Sequence, residues 1–250
     1  MLSAVRTRAE YALLRKISPG EPRVCTGEAY RGKSKLAVLL GAAFLERARA
    51  KTVIDFGCGE GAEAIELACH GASRVIGIDI REEVLRKARE NAIAAGVEGI
   101  CTFSTETRTQ ADVIVSLDSF EHFEDPAAIL QVMDRLLGPA GEVLASFGPT
   151  WYHPLGGHLF SIFPWAHLVF SEPALIRWRA QFKSDGATCF RNTQGGLNQM
   201  TIRRFERIVA GSPFRFAEME TVPIRKLRRL NCRWTREFTT ALVRCRLVKR

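Results

Sequence analysis

The chain has 250 residues, 46% hydrophobic and 25% charged, with a formal net charge of +9. That length suits one large α/β domain or two small ones, with a core that stands without disulfides or a structural metal, and the composition excludes disordered, collagen-like and coiled-coil chains. The charge is uneven: residues 201–250 hold 12 Arg and 2 Lys against 4 Glu, while residues 1–200 hold 22 basic and 23 acidic residues. A basic fifth of this kind suits phosphates or a peripheral anionic surface, although most such stretches are simply solvated. Seven cysteines, an odd number with no C-x-x-C pair, give neither a disulfide framework nor a zinc ribbon. The N-terminus lacks a signal-peptide core, and the longest apolar run, 36–45, is too short to span a membrane. A soluble, reduced, cytoplasmic chain is expected.

The first 20 residues carry helical spacing (Val5, Tyr11, Leu13, Leu14, Ile17) and read as a docking helix rather than a transit peptide. Residues 36–49 read as a second helix after Gly32-Lys33-Ser34. These N-terminal helices, 1–50, precede an alternating core, 51–150. There, strands are predicted at 52–56, 74–80, 100–104, 112–117 and 142–147, and helices at 63–70, 82–95 and 126–137. Such alternation means βαβ units, right-handed crossovers and a doubly wound parallel sheet. Its ligands bind outside the carboxyl ends of the strands. Residues 151–200 hold 9 of the 22 aromatics and 3 of the 5 histidines, and read as a partly helical lid over those ends. A helix at 202–209 and strands near 214–222 and 239–248 complete a single domain.

The strongest motif is Val53-Ile54-Asp55-Phe56-Gly57-Cys58-Gly59-Glu60-Gly61, a strand feeding a glycine turn that opens a helix. Glycines let the backbone approach a ligand closely, and the helix start presents free N–H groups. Asp79, about 20 residues on, stands where a carboxylate accepts both ribose hydroxyls of an adenosine. The glycines also satisfy the relaxed dinucleotide fingerprint. Asp55 argues against a pyrophosphate, which it would repel, and for a positive amino group; Gly61 is an extra glycine that the fingerprint does not require.

The segments D-F-G-C-G-E-G and R-V-I-G-I-D, with A-D-V-I-V-S-L-D-S-F-E-H-F-E-D-P and L-L-G-P-A-G-E-V-L, resemble the class I S-adenosylmethionine-dependent methyltransferases over roughly residues 30–150. The resemblance implies a Rossmann-like, seven-stranded sheet with an antiparallel last strand, and S-adenosyl-L-methionine as cofactor. It implies that Asp55 and the backbone of Gly57, Cys58 and Gly59 hold the methionine end. Asp79 holds the ribose, Ile80 lies against the adenine and Leu117 passes near the methionine. Glu106 is the available candidate for the adenine amino group, since Ser104-Thr105-Glu106 lacks the common Gly-Asp. Tyr30 and Lys33 close the site from the N-terminal side.

Methyl transfer from a sulfonium is an in-line displacement, so the protein chiefly positions the acceptor and, for a hydroxyl, helps remove its proton. Glu121-His122 follows the fourth strand and resembles the corresponding pair of the ubiquinone-pathway O-methyltransferases. His158, on a flexible turn at Gly156-Gly157, is the first candidate for a general base and His122 the second. Trp151, Tyr152 and His153, after the fifth strand, are candidate acceptor contacts. His70 and His167 read as structural. The lid aromatics, Trp151, Tyr152, Phe160, Phe163, Trp165 and Phe170, either line an apolar acceptor pocket or form the lid's own core, and at least half are expected in the core. No clear metal-ligand set is visible, and the choice between a histidine base and a divalent metal near Glu121-His122 stays open. The expectation is a methyltransferase acting at oxygen on a small, partly apolar molecule. The alternative is a nucleic-acid methyltransferase using the basic region around Arg225-Lys226-Leu227-Arg228-Arg229. It is disfavoured because the fourth strand ends in S-L-D-S rather than a base-methylating N/D-P-P-Y/F run, and no RNA-binding module is appended.

Overall fold

The computed structural model describes residues 2–20, 32–41, 43–193 and 195–250; Tyr30 and Cys25 lie outside them. Helix α1 (Leu2–Ile17) is followed by α2 (Lys35–Leu40) and α3 (Ala43–Arg47). The single helix predicted over 36–49 is therefore broken. Gly41 adopts φ 85°, a left-handed turn that no helix continues through. The core then alternates as β1 (Thr52–Phe56), α4 (Ala62–Cys69), β2 (Arg74–Ile78), α5 (Glu82–Ala94), β3 (Cys101–Ser104), β4 (Ala111–Leu117), α6 (Pro126–Leu136) and β5 (Leu137–Phe147). Strand β5 begins directly after α6, earlier than the predicted 142. Leu137 pairs with Ala111, and a register shift follows before Val113 meets Glu142.

Residues 151–200, expected as a lid, hold α7 (Ala166–Val169) and α8 (Glu172–Arg179), with short 3-10 turns at His158–Phe160 and Phe190–Asn192. The chain ends in α9 (Ile202–Ala210), β6 (Phe214–Pro223), α10 (Arg236–Thr239) and β7 (Thr240–Lys249). The seven-stranded sheet has the order β3-β2-β1-β4-β5-β7-β6, with β7 antiparallel to both neighbours. Between β6 and β7 the chain makes an excursion over residues 224–239, closed where Ile224 N–H donates to the Thr239 carbonyl. The reversal of strand order between β1 and β4 opens a crevice at their carboxyl ends.

Neighbouring strand residues divide between two cores, as the pleat requires. Val53, Val75, Val113 and Val115 pack with Leu39, Phe44, Leu67 and Leu85 on one face. Ile54, Ile76 and Ile114 pack with Leu130, Met133, Phe205 and Val209 on the other. Helix ends are capped locally: the Asp125 carboxylate accepts from Ala127 and Ala128 N–H at 3.0 Å ahead of Pro126. Helix α9 is capped at long range, the buried Glu237 accepting from Ile202 and Arg203 N–H.

A third core belongs to the lid, where Phe160, Phe170, Leu175, Trp178 and Phe190 bury Leu14 of α1. Trp178 Nε1 donates to the Ser18 carbonyl, and Glu10 accepts from Ser171. The first helix thus docks on the lid. Arginines of β7 pair across strands, Arg244 with Glu220 and Arg246 with Glu218, so part of the basic C-terminal charge is neutralised within the sheet. Residues 224–236, with Arg225, Lys226, Arg228, Arg229, Arg233 and Arg236, hold no acidic residue. Among the described residues no helix is long and apolar enough to cross a membrane, and the cysteines are free thiols.

Candidate functional site

The turn after β1 is built by glycines. Gly57 and Gly61 take φ 89° and 82°, and Gly57 and Cys58 both donate their N–H to the Ile78 carbonyl, at 2.8 and 3.0 Å. A Cβ on Gly57 would lie 2.5 Å from Ser119 Oγ, so the loop after β4 presses directly on this backbone. Cys58 is buried, and burial pushes its thiol well above the usual range, leaving it inert. Gly59 faces open space.

At the tip of β2, Asp79 accepts from Gly59 N–H at 3.1 Å and Arg81 N–H at 3.0 Å. The Arg81 guanidinium also covers both carboxylate oxygens, at 3.1 and 3.2 Å. Ile80 beside it is 90% exposed, an unsupported aliphatic face at the strand tip. Glu106 is exposed, and Ser104 Oγ donates to its backbone carbonyl. Nothing in the structure directs its carboxylate toward Asp79.

Beneath the glycine turn lies a nest of carboxylates around one lysine. Lys35 Nζ sits 3.0 Å from Asp118 and 3.7 Å from Glu63. Burial opposes its charge, but these carboxylates hold it above the ordinary lysine value. Asp55 is buried with Oδ2 unpartnered; burial and the nearby Glu63 push its carboxyl up to about 8. Glu121 is buried as well, accepts from Gly148 N–H at 3.2 Å, and is pushed up to about 8 by burial and Asp118. Leu117 ends β4 buried in the core it shares with Val113 and Val115, and Asp118 turns the chain at φ 51°. Lys33 is exposed in the turn before α2. Lys35, two residues on, reaches the nest instead.

On the lid side, His122 and His158 meet with ring centroids 5.2 Å apart. His122 Nδ1 lies 2.8 Å from the Gly196 carbonyl, and burial lowers the ring's basicity. His158, at φ 49°, leaves a buried Nε2 without a partner, and burial followed by the neighbouring histidines pushes it down to about 3. A cleft of about 340 Å³ runs from Arg81 past His122, His158 and Phe160 to Arg179 and Lys183 of the lid. It joins the β2 tip to the histidine pair.

Trp151, Tyr152 and His153, the expected acceptor contacts, do not line this cleft. Trp151 packs against His167 and Phe190, Tyr152 stacks on Phe238, and His153 Nδ1 accepts from Leu155 N–H. Trp165 donates to the Tyr152 carbonyl and Phe163 meets Phe170, so of the six lid aromatics only Phe160 touches the cleft. His167 is structural: Nε2–H donates to the Trp151 carbonyl, and Nδ1 faces Ser161. Gly156 and Gly157 are not a flexible hinge. Their Cβ atoms would fall 2.3 Å from the Thr150 carbonyl oxygen and 2.4 Å from His167, so glycine is required by close packing.

Two functional groups escaped the sequence reading. Lys35 occupies the first turn of α2, where the helix dipole disfavours a cation; that misplacement was the available signal. The meeting of Glu121, His122 and His158 had none, because 36 residues separate His158 from His122.

A family described as a methyltransferase domain matches residues 48–150. A ubiquinone biosynthesis O-methyltransferase of Pseudomonas paraeruginosa is 38% identical over 102 residues, covering 38% of this chain and 44% of that protein. One from Serratia proteamaculans is 37% identical over 102 residues, covering 38% and 42%. The chain thus spans less than half the length of the curated relatives it matches. Among solved structures, magnesium protoporphyrin IX methyltransferase from Synechocystis, with bound S-adenosylhomocysteine, aligns over 99% of both chains at 19% identity and a TM-score of 0.56. An S-adenosylmethionine-dependent methyltransferase from Mesorhizobium loti aligns over 83% of this chain and 96% of its own, at 19% identity and a TM-score of 0.55.

Proposed function

We propose that this chain is a class I S-adenosylmethionine-dependent methyltransferase, a reading supported by the methyltransferase-domain match over residues 48–150, and that it transfers the methyl group of S-adenosylmethionine to a hydroxyl of a small, partly apolar molecule. The observation that carries this reading is the cleft running from Arg81, whose guanidinium covers Asp79, to the His122–His158 pair, which supports a cofactor end beside an acceptor end.

Asp79 takes the ribose hydroxyls after Arg81 swings aside, and Ile80 supports the adenine. The backbone of Gly57, Cys58 and Gly59 lets the methionine portion lie close. The carboxylates of Asp55, Glu63 and Asp118 attract its ammonium group and sulfonium. The acceptor oxygen enters from the lid side, and its hydroxyl hydrogen-bonds to His158 Nε2, with His122 beside it. The oxygen lone pair displaces the sulfur in line. The O–CH3 bond forms, the S–CH3 bond breaks with its electron pair left on sulfur, and the hydroxyl proton departs by way of the histidines. His158, held near 3, is a weak proton acceptor on its own, so its first duty is orientation.

Titration with S-adenosylhomocysteine tests the cofactor half: wild type binds, and Asp79→Ala weakens binding about 100-fold through lost hydrogen bonds to a charged group. Equal binding in the variant overturns the assignment. Turnover on small phenols tests the acceptor half. A preference for RNA, with affinity falling steeply as salt rises, would replace it.

A further inference from the structure

Glu121, His122 and His158 each offer one ligating atom, and these atoms lie within 4.8 Å of one another. Two of the groups have buried atoms with no hydrogen-bond partner, Glu121 Oε2 and His158 Nε2. A buried polar atom left unsatisfied costs free energy, and two such groups brought together suit a common partner. The third group is prepared in the same way. A carbonyl oxygen only accepts, so the contact between His122 Nδ1 and Gly196 O, at 2.8 Å, places the proton on Nδ1 and leaves the lone pair on Nε2. Imidazoles that bind metals are held through such outer hydrogen bonds. Glu121 has a comparable support, since its Oε1 accepts from Gly148 N–H at 3.2 Å.

The backbone adds an independent observation. His158 holds φ 49°, the left-handed region that a residue with a Cβ rarely occupies, and strain of this kind persists where it serves a site. The two glycines ahead of it are locked against Thr150 and His167, so His158 is presented from a rigid turn.

We propose that Glu121, His122 and His158 form a divalent transition-metal site, of the kind that takes Zn²⁺, at the acceptor end of the cleft. Two neutral imidazoles and one carboxylate suit a borderline first-row cation rather than Mg²⁺, which prefers an all-oxygen shell. Three protein ligands leave a fourth position open toward the cleft, as in zinc sites that act on a bound oxygen. Ligand atoms about 3.3 Å apart would complete tetrahedral bonds of about 2.0–2.1 Å, so small rotations of the three side chains close the site. The metal's role rests on the methyl-transfer reading above: with the metal bound, the acceptor hydroxyl takes the open position instead of hydrogen-bonding to His158 Nε2, is acidified, and gives up its proton to water in the cleft near neutral pH.

The test is metal content and metal binding of the full chain. Wild type dialysed against Zn²⁺ retains one equivalent, and its Co²⁺ form shows ligand-field bands without a thiolate charge-transfer band. Glu121→Gln and His158→Gln, near-isosteric changes, each weaken Zn²⁺ by at least about 100-fold, more than the loss of an outer-shell partner. Both variants still bind S-adenosylhomocysteine, which reports their fold. No retained Zn²⁺, unchanged affinity in the variants, or a thiolate band from a cysteine site each overturns the proposal. Zn²⁺ binding without any binding of S-adenosylhomocysteine would overturn the methyl-transfer reading and leave the metal site standing.

Discussion

Asp55→Asn separates what this carboxyl does for the fold from what it does for a ligand. Asp55 is only 3% exposed, with one oxygen unpartnered, and burial first, then Glu63, push it up to about 8. An unfolded aspartate titrates near about 4. Between those values the folded chain keeps a proton that the unfolded chain has released. Stability is therefore fullest below the unfolded value and is lost as pH rises toward about 8. The slope is about 1.4 kcal/mol per pH unit for one such group. Glu121, raised in the same direction, adds a similar slope. The wild-type chain should thus lose roughly 3 kcal/mol between about pH 6 and 7 through the two groups together. Asp55→Asn has no proton to lose at this site and should lose only about half of that. Urea unfolding of both proteins across this pH range measures the two slopes. A variant with the wild-type slope would refute the reasoning, because it would mean that Asp55 is ionised in the folded chain.

The same proton links to the cofactor. A cationic ligand beside Asp55 favours its ionised form, so affinity for S-adenosylhomocysteine should rise up to about tenfold per pH unit below about 8 and level off above it, with proton release visible as a buffer-dependent binding enthalpy. Arg81→Ala should tighten that binding or leave it unchanged, since the guanidinium occupies the Asp79 oxygens; a tenfold loss would assign Arg81 to the ligand instead. Gly57→Ala should destabilise the chain by about 2 kcal/mol and abolish cofactor binding, because φ 89° and a contact 2.5 Å from Ser119 Oγ both oppose a methyl group. Glu237→Ala should lower stability by about 2–3 kcal/mol by removing a charged acceptor from two N–H groups at the start of α9, which thermal unfolding reads directly.

The alternating core was legible because its signals are local. Val-Ile runs, glycine stops and the Asp125-Pro126 cap each act within a few residues, and the strands and helices of 52–136 fall within a few residues of their expected ends. The Gly41 break and the early start of β5 were not, since an apolar run continues through the one, and the other depends on a register shift set by the neighbouring strand. In the site, Asp55, the glycine turn and Asp79 sit at strand tips that topology alone defines. The lid follows no period. Whether Trp151 faces a ligand or His167 depends on packing among segments far apart in sequence, and the tight seat of Gly157 against His167 reads as flexibility until the fold is known.

The placement of β7 bears on how the chain acquires its fold. This strand follows β6 in sequence yet lies between β5 and β6. Until it is made, β5 has no partner on its outer side and β6 has none at all, so a growing polypeptide carries unpaired hydrogen-bonding edges on both strands at once. Strands that wait for a distant partner fold slowly and are open to pairing with other chains in the meantime. The glutamates of β6, which later meet Arg244 and Arg246, leave that waiting edge negatively charged and so disfavour its pairing with another copy of itself. Glu218 and Glu220 therefore guard nascent β6 before they join the cross-strand ladder of the finished sheet.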